Sequence, residues 1–154
     1  MTTRINRFLW RKLILELRRR GKNRRESGAF LLGTAGSNRI TRIVYYDDLD
    51  PHALDSGCVE IKGEGFARLW ELCGHEKLEP IADIHTHGGA WTGQSGTDIT
   101  NPFVAFSGHL SLIAPHFAQK NAWDMKGVGI YEYLGDHKWK TFYPKDRRVT
   151  LVLT

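Results

Sequence analysis

His85-Thr86-His87-Gly88-Gly89-Ala90-Trp91-Thr92-Gly93-Gln94-Ser95-Gly96-Thr97-Asp98 decides how this 154-residue chain is read. It has the form H-x-H, seven residues, S-x-x-D. The residues before it, Pro80-Ile81-Ala82-Asp83-Ile84, read as a short apolar strand that ends at the first histidine. Successive strand side chains alternate faces, so His85 and His87 project to the same side as a two-point clamp for one ion. The glycines let the chain turn back, and Asp98 then offers a carboxylate oxygen as third ligand. Three protein ligands and one open tetrahedral position are a catalytic pattern. Two imidazoles and a carboxylate suit Zn²⁺ better than Mg²⁺ or Ca²⁺, which prefer oxygen shells; Fe²⁺ and Mn²⁺ share the same ligand chemistry.

Such a site needs a base to move protons and a donor for the oxyanion that forms at an attacked carbonyl. Glu26, just ahead of the apolar stretch Gly28-Ala29-Phe30-Leu31-Leu32-Gly33, is the candidate base, provided that stretch lies beside the His85 strand. Ser95, three residues before Asp98, is the candidate donor. Trp91, in the glycine-rich loop, is a rigid apolar anchor suited to a substrate tail. Asp83 shares a strand face with the histidines and is a candidate to orient one imidazole. His52, His75, His109, His116 and His137 lack ligand spacing and read as surface or structural histidines.

Outward from the motif, residues 4–20 carry Ile5, Phe8, Leu9, Leu13 and Leu17 at helical spacing, with Gly21 as a stop. Gly28–Gly33 and the alternating stretch around Ile40 to Tyr45 read as a β-hairpin, and residues 46–63 as a long polar loop that could wall a groove for an extended tail. Phe66, Leu69, Trp70 and Cys73 mark a second helix over 65–73, closed by Gly74. Strands are predicted over 109–114, 127–133, 138–143 and 149–153. The order α, ββ, α, β and then several strands predicts a mixed α+β fold in one domain spanning residues 1–154.

Composition narrows the classes. Two cysteines without C-x-x-C spacing do not make a disulfide framework, and no 18-residue apolar run is present, so a soluble cytoplasmic protein is expected. The net charge of +5 is segregated. Residues 1–25 hold ten Arg/Lys against Glu16 alone, whereas the rest holds twelve basic and sixteen acidic residues. A basic helix over about 4–20 could draw nucleic acid, anionic lipid or an acidic protein partner, or could be a solvated face.

Taken together, Glu26, His85-Thr86-His87, Ser95 and Asp98 resemble the JAMM motif of the JAB/MPN metallopeptidases, an upstream glutamate followed by H-[ST]-H-x7-S-x-x-D. The order of Gly28–Gly33, a helix, the His strand and later strands is similar to that family over most of the chain. The resemblance implies a JAB/MPN-like, cytidine-deaminase-like mixed β-sheet flanked by helices. It further implies that His85, His87 and Asp98 bind zinc, that Glu26 is general acid/base and that Ser95 stabilises the tetrahedral species. The implied reaction is hydrolysis of the peptide or isopeptide bond after the tail of a ubiquitin-like protein, in deconjugation or precursor processing. The compact chain is similar to stand-alone prokaryotic members that accompany E1/E2-like conjugation proteins. Gly88-Gly89 departs from the family, where proline is frequent after the second histidine. The alternatives are a non-catalytic MPN-like scaffold and a metal hydrolase acting on another amide. A D-x-H-x-H barrel hydrolase needs about 250 residues and does not fit this length.

Overall fold

The structure, a computed structural model, describes residues 2–154 apart from the side chain of Pro144. Its centre is a pair of antiparallel strands, β2 (Gly28–Thr34) and β5 (Leu78–Thr86), in a six-stranded sheet of order β4-β2-β5-β6-β7-β8. The other members are β4 (Arg42–Tyr45), β6 (Leu110–Ala114), β7 (Gly129–Gly135) and β8 (Lys138–Phe142). Only β5 and β6 run parallel.

Residues 29–32 are apolar without alternation because both faces of β2 are covered. Ala29 and Leu31 meet Trp10, Leu13 and Leu17 of helix α1 (Arg7–Gly21). Phe30 and Leu32 face the other way, into a second core with Tyr46, Leu49, Leu69 and Cys73. Those residues come from the short helix α2 (Tyr46–Leu49) and from α3 (Gly63–Glu76). On β5, Ala82 and Ile84 join the α1 core. Asp83 and His85 therefore point into the second face, polar groups where the pattern of a buried strand calls for apolar ones. Both are buried.

A separate parallel sheet of three short strands joins β3 (Arg39–Ile40), β1 (Thr3–Asn6) and β9 (Val149–Val152) in that order. It corrects the expected helix over residues 4–20, since Thr3–Asn6 is a strand and the helix starts at Arg7. Asn6 decides the boundary: its Oδ1 accepts from Phe8 N at 2.8 Å and Leu9 N at 3.2 Å, capping the first turn. Ile5 fits either period, and its burial in the sheet mimicked a helical stripe. The basic charge of α1 is partly absorbed inside the chain. Arg20 bridges Glu16, Asp47 and Asp48, Arg18 bonds Ala118 O, and Arg11 lies over the Trp123 ring at 3.8 Å.

Residues 46–63 are not an open loop. After α2, the Asp50 carboxylate accepts from His52 N and Lys62 N, and Ala53 and Leu54 are buried beneath. Helix α3 also outruns its expected 65–73, passing Gly74 to end at Lys77 in left-handed conformation, φ 57°. No described helix is long and apolar enough to cross a membrane.

Candidate metal centre

The sheet delivers its reactive groups at the carboxyl ends of its parallel pair. β5 ends at Thr86, and the bond His87 N–H to Ala114 O (2.8 Å) carries the chain one residue further beside β6. His85 and His87 then lie on one side, with Nε2 atoms 3.2 Å apart. Asp98 comes from α4 (Gly96–Thr100), a single turn in the β5–β6 crossover. Its Oδ1 lies 3.5 Å from His85 Nε2 and its Oδ2 3.4 Å from His87 Nε2.

The S-x-x-D pattern has a mechanical meaning. Ser95 is the N-cap of α4: its Oγ accepts from Asp98 N at 3.1 Å while Asp98 Oδ2 accepts from Ser95 N at 2.9 Å. This reciprocal capping box pins the carboxylate on a helix too short to hold it otherwise. Ser95 uses its oxygen in the cap and keeps its hydroxyl proton free to donate.

The donor set fits a small divalent ion. Four ligands at about 2.0–2.1 Å around zinc stand about 3.3 Å from one another, close to the 3.2 Å between the two imidazole nitrogens, while Asp98 approaches His85 at 3.5 Å and His87 at 3.4 Å through different oxygens. One ligand atom from each residue can be chosen so that all lie within 4.8 Å. Trp91 O, 3.1 Å from His87 Nδ1, can only accept, so Nδ1 carries a proton and Nε2 is the nitrogen that, once its own proton is lost, would face an ion together with the other two candidate ligands. Asp98 is partly desolvated, which alone would raise its pKa, but hydrogen bonds to His85 and His87 outweigh this and hold it well below the carboxylate range. The bond to Asp98 is in turn the main reason that the His87 pKa is raised.

Glu26 reaches the same place by register. Gly28 pairs with His85, and Ser27 and Thr86 exchange bonds, Thr86 N to Ser27 O and Ser27 N to Thr86 Oγ1, each 3.0 Å. The strand that follows Glu26 thus lies beside the His85 strand. Glu26 Oε2 accepts from Val59 N at 3.2 Å, and the residue lines one cavity of about 860 Å³ together with His87, Ser95 and Asp98. Val59, Ile61, Phe66 and Phe103 form its apolar wall. The backbone N–H groups of Val59, Glu60 and Lys62 are already engaged within the chain, so this wall offers side chains more than a strand edge.

Trp91 is 63% exposed at the cavity, its ring stacked on His87 with centroids 5.5 Å apart. The pattern of residue types gave no signal for its carbonyl, which fixes the His87 tautomer. Asp83 does not orient an imidazole of the cluster. It accepts from His109 Nε2 at 2.8 Å and Ser111 Oγ at 2.9 Å, making His109 a buried structural histidine.

A further support was not legible in the sequence. His116, Phe117 and Ala118 stand consecutively at φ 56°, 50° and 60°, a left-handed turn that costs roughly 1–2 kcal/mol per non-glycine residue. His116 N bonds Gly89 O and Phe117 N bonds His87 O, while the Phe117 ring occupies the space over Gly88, where a Cβ would sit 2.8 Å from it. The turn buttresses the histidine loop, and Gly88 is glycine because Phe117 covers it.

No protein-family profile matches the chain. Among solved structures, a JAB1/MPN domain protein from Archaeoglobus fulgidus aligns over 97% of this chain and 98% of its own, at 13% identity and TM-score 0.55. The fold is that of a JAB1/MPN domain. A protein from Desulfitobacterium hafniense aligns at TM-score 0.58 and 13% identity, covering 98% of this chain and 93% of that one. One from Salinibacter ruber gives 0.59 and 14%, covering 92% and 89%. At such identities the likeness speaks for the JAB1/MPN fold, with its mixed sheet flanked by helices, and the chemistry rests on the residues above.

Proposed function

We propose that the chain is a zinc-dependent peptidase or isopeptidase that hydrolyses the bond after the C-terminal tail of a ubiquitin-like protein. The observation that carries this is the gathering of one ligand atom each from His85, His87 and Asp98 within 4.8 Å, beside a cavity that His87 and Asp98 line together with Glu26 and Ser95. Bound zinc would supply the Lewis acidity that polarises a carbonyl and acidifies water. Glu26, steadied through Oε2, takes the proton of the attacking water with its other oxygen and returns it to the departing amine. Ser95 donates its free hydroxyl proton to the carbonyl oxygen as negative charge develops. Asp98 and the two histidines set the position of the ion, and the apolar wall with Trp91 receives the tail.

The test uses zinc-loaded wild type and Glu26→Gln against a ubiquitin-like protein carrying a Gly-Gly tail, both as a linear fusion and as a lysine conjugate. Gln retains the acceptor for Val59 N–H but not the base. The expected result is cleavage after the tail by wild type and a loss of roughly 10²–10⁴-fold in the variant, with zinc content unchanged. Intact substrates with zinc-loaded wild type, or full activity of Glu26→Gln, would refute the proposal.

A further inference from the structure

A buried polar atom without a partner carries a desolvation cost, and such atoms are rare in native proteins. Among the described residues, the side-chain atoms of this kind are Tyr46 Oη, His85 Nδ1 and His109 Nδ1. The first two belong to residues that both lie against Gly28, Tyr46 through its ring and His85 as the register partner. Tyr46 is fully buried in the second core, its ring 4.8 Å from Phe30 and 4.9 Å from Phe103 between centroids. The ring lies where Gly28 has no side chain: a Cβ there would stand 2.3 Å from Tyr46 Cε2 and 2.6 Å from Cδ2. Gly28 is the register partner of His85, and cross-strand partners direct their side chains to one face about 5 Å apart. The Tyr46 ring, whose hydroxyl lies two bonds beyond Cε2, thus occupies the same face of the sheet as the His85 imidazole, across the Gly28–His85 pair.

The chemistry of a ligand histidine makes this placement meaningful. When Nε2 carries a metal, the imidazole proton sits on Nδ1 and must be donated to something. For His87 the acceptor is Trp91 O; for His85 no protein group serves. We propose that Tyr46 is the positioning residue of His85, joined to it by one buried water that accepts both the Nδ1–H and the Tyr46 O–H. Two orphaned donors are satisfied by one molecule, which is the common use of buried water. Burial first, then the fields of Asp83 and Asp98, push the Tyr46 hydroxyl well above its ordinary pKa, so it remains a neutral donor. Gly28 is required on this account, because any side chain there would displace the ring.

The inference rests on the reading of His85 as a metal ligand and deepens it. Zinc affinity is measured by chelator competition on wild type and Tyr46→Phe, which keeps the ring and removes only the hydroxyl, with thermal melting of both metal-free proteins. Nitrogen-detected NMR follows the His85 imidazole in zinc-loaded wild type. The inference expects zinc binding weakened about 10- to 100-fold in Tyr46→Phe and a His85 Nδ1–H resonance protected from exchange in wild type. Unchanged zinc affinity in a folded and more stable Tyr46→Phe would overturn it, marking the hydroxyl as an unserved orphan. Should that variant fail to fold, the wild-type resonance decides: a protected Nδ1–H supports the inference and a rapidly exchanging one overturns it. Wild type that binds no zinc would overturn the metal reading itself, and this inference with it.

Discussion

Ser95 has one role in the fold and a second in the proposed reaction, and ordinary mutagenesis would confuse them. Its oxygen caps α4, and in the proposed mechanism its proton stabilises the developing oxyanion. Ser95→Ala removes both. An N-cap Ser→Ala exchange costs typically about 1 kcal/mol, whereas glycine at the same position costs only a few tenths. For a chain of this size 1 kcal/mol corresponds to about 2–4 °C in Tm. Metal-free Ser95→Ala should therefore melt about 2–4 °C below wild type and Ser95→Gly within about 1 °C. Asp98 stays in place in both, because the bond that holds its carboxylate comes from the backbone N–H of residue 95, so zinc stoichiometry should not change. In steady-state cleavage of a Gly-Gly-tailed fusion by the zinc-loaded proteins, both variants should lose roughly 10²–10³-fold in kcat, the usual effect of deleting one oxyanion donor. Activity that follows stability, with Ser95→Gly near wild type, would refute the oxyanion role and leave Ser95 a cap alone.

Two further outcomes are expected. Asp83→Ala leaves the buried His109 and Ser111 without their shared acceptor, at about 1–3 kcal/mol for each of the two buried donors left unpaired. A fall in Tm of at least about 4 °C with full zinc binding is expected, and lost zinc with unchanged melting would instead make Asp83 part of the metal centre. The second concerns pH. In the metal-free protein the raised pKa of His87 gives stability that is full below the ordinary histidine value and lost as pH rises through the folded one. The lowered pKa of Asp98 gives stability present above the ordinary aspartate value and lost as pH falls. The pair therefore supports the metal-free fold between about pH 4 and pH 6.5, and double substitution of His87 and Asp98 by alanine should flatten that feature in a Tm–pH profile. Zinc binding runs the other way, since a proton on His87 Nε2 excludes the ion: affinity by chelator competition should weaken as pH falls from 8 to 5.5, and a flat profile would exclude His87 as a ligand.

The His85–His87–Asp98 cluster was legible because it depends on short-range spacing. An H-x-H at a strand end places two imidazoles together whatever the rest of the chain does, and Ser95 with Asp98 three residues later are one capping box. Glu26 was legible only through the adjacency of two strands distant in sequence, which the pairing of Gly28 with His85 supplies. The mixed α+β architecture followed from element order. What escaped is non-local or lacks a residue signature. The β1–β9 pairing joins Thr3–Asn6 to Val149–Val152 across nearly the whole chain, and no pattern in either segment names the other. The left-handed turn at His116–Ala118 contains no glycine to announce it. Asp83 alternates with His85 as a ligand-supporting residue would, yet the sheet register gives its carboxylate to Ser111, and His109 at the entrance to β6 takes the remaining oxygen.

The most direct test of the account is metal content by mass spectrometry on purified wild type, the His85→Ala/His87→Ala double variant and Asp98→Ala, with circular dichroism to confirm folding. The account expects about one zinc per chain in wild type and loss of that zinc in variants whose spectra are unchanged. Wild type that remains metal-free after zinc loading, or folded variants that retain a full equivalent, would contradict it.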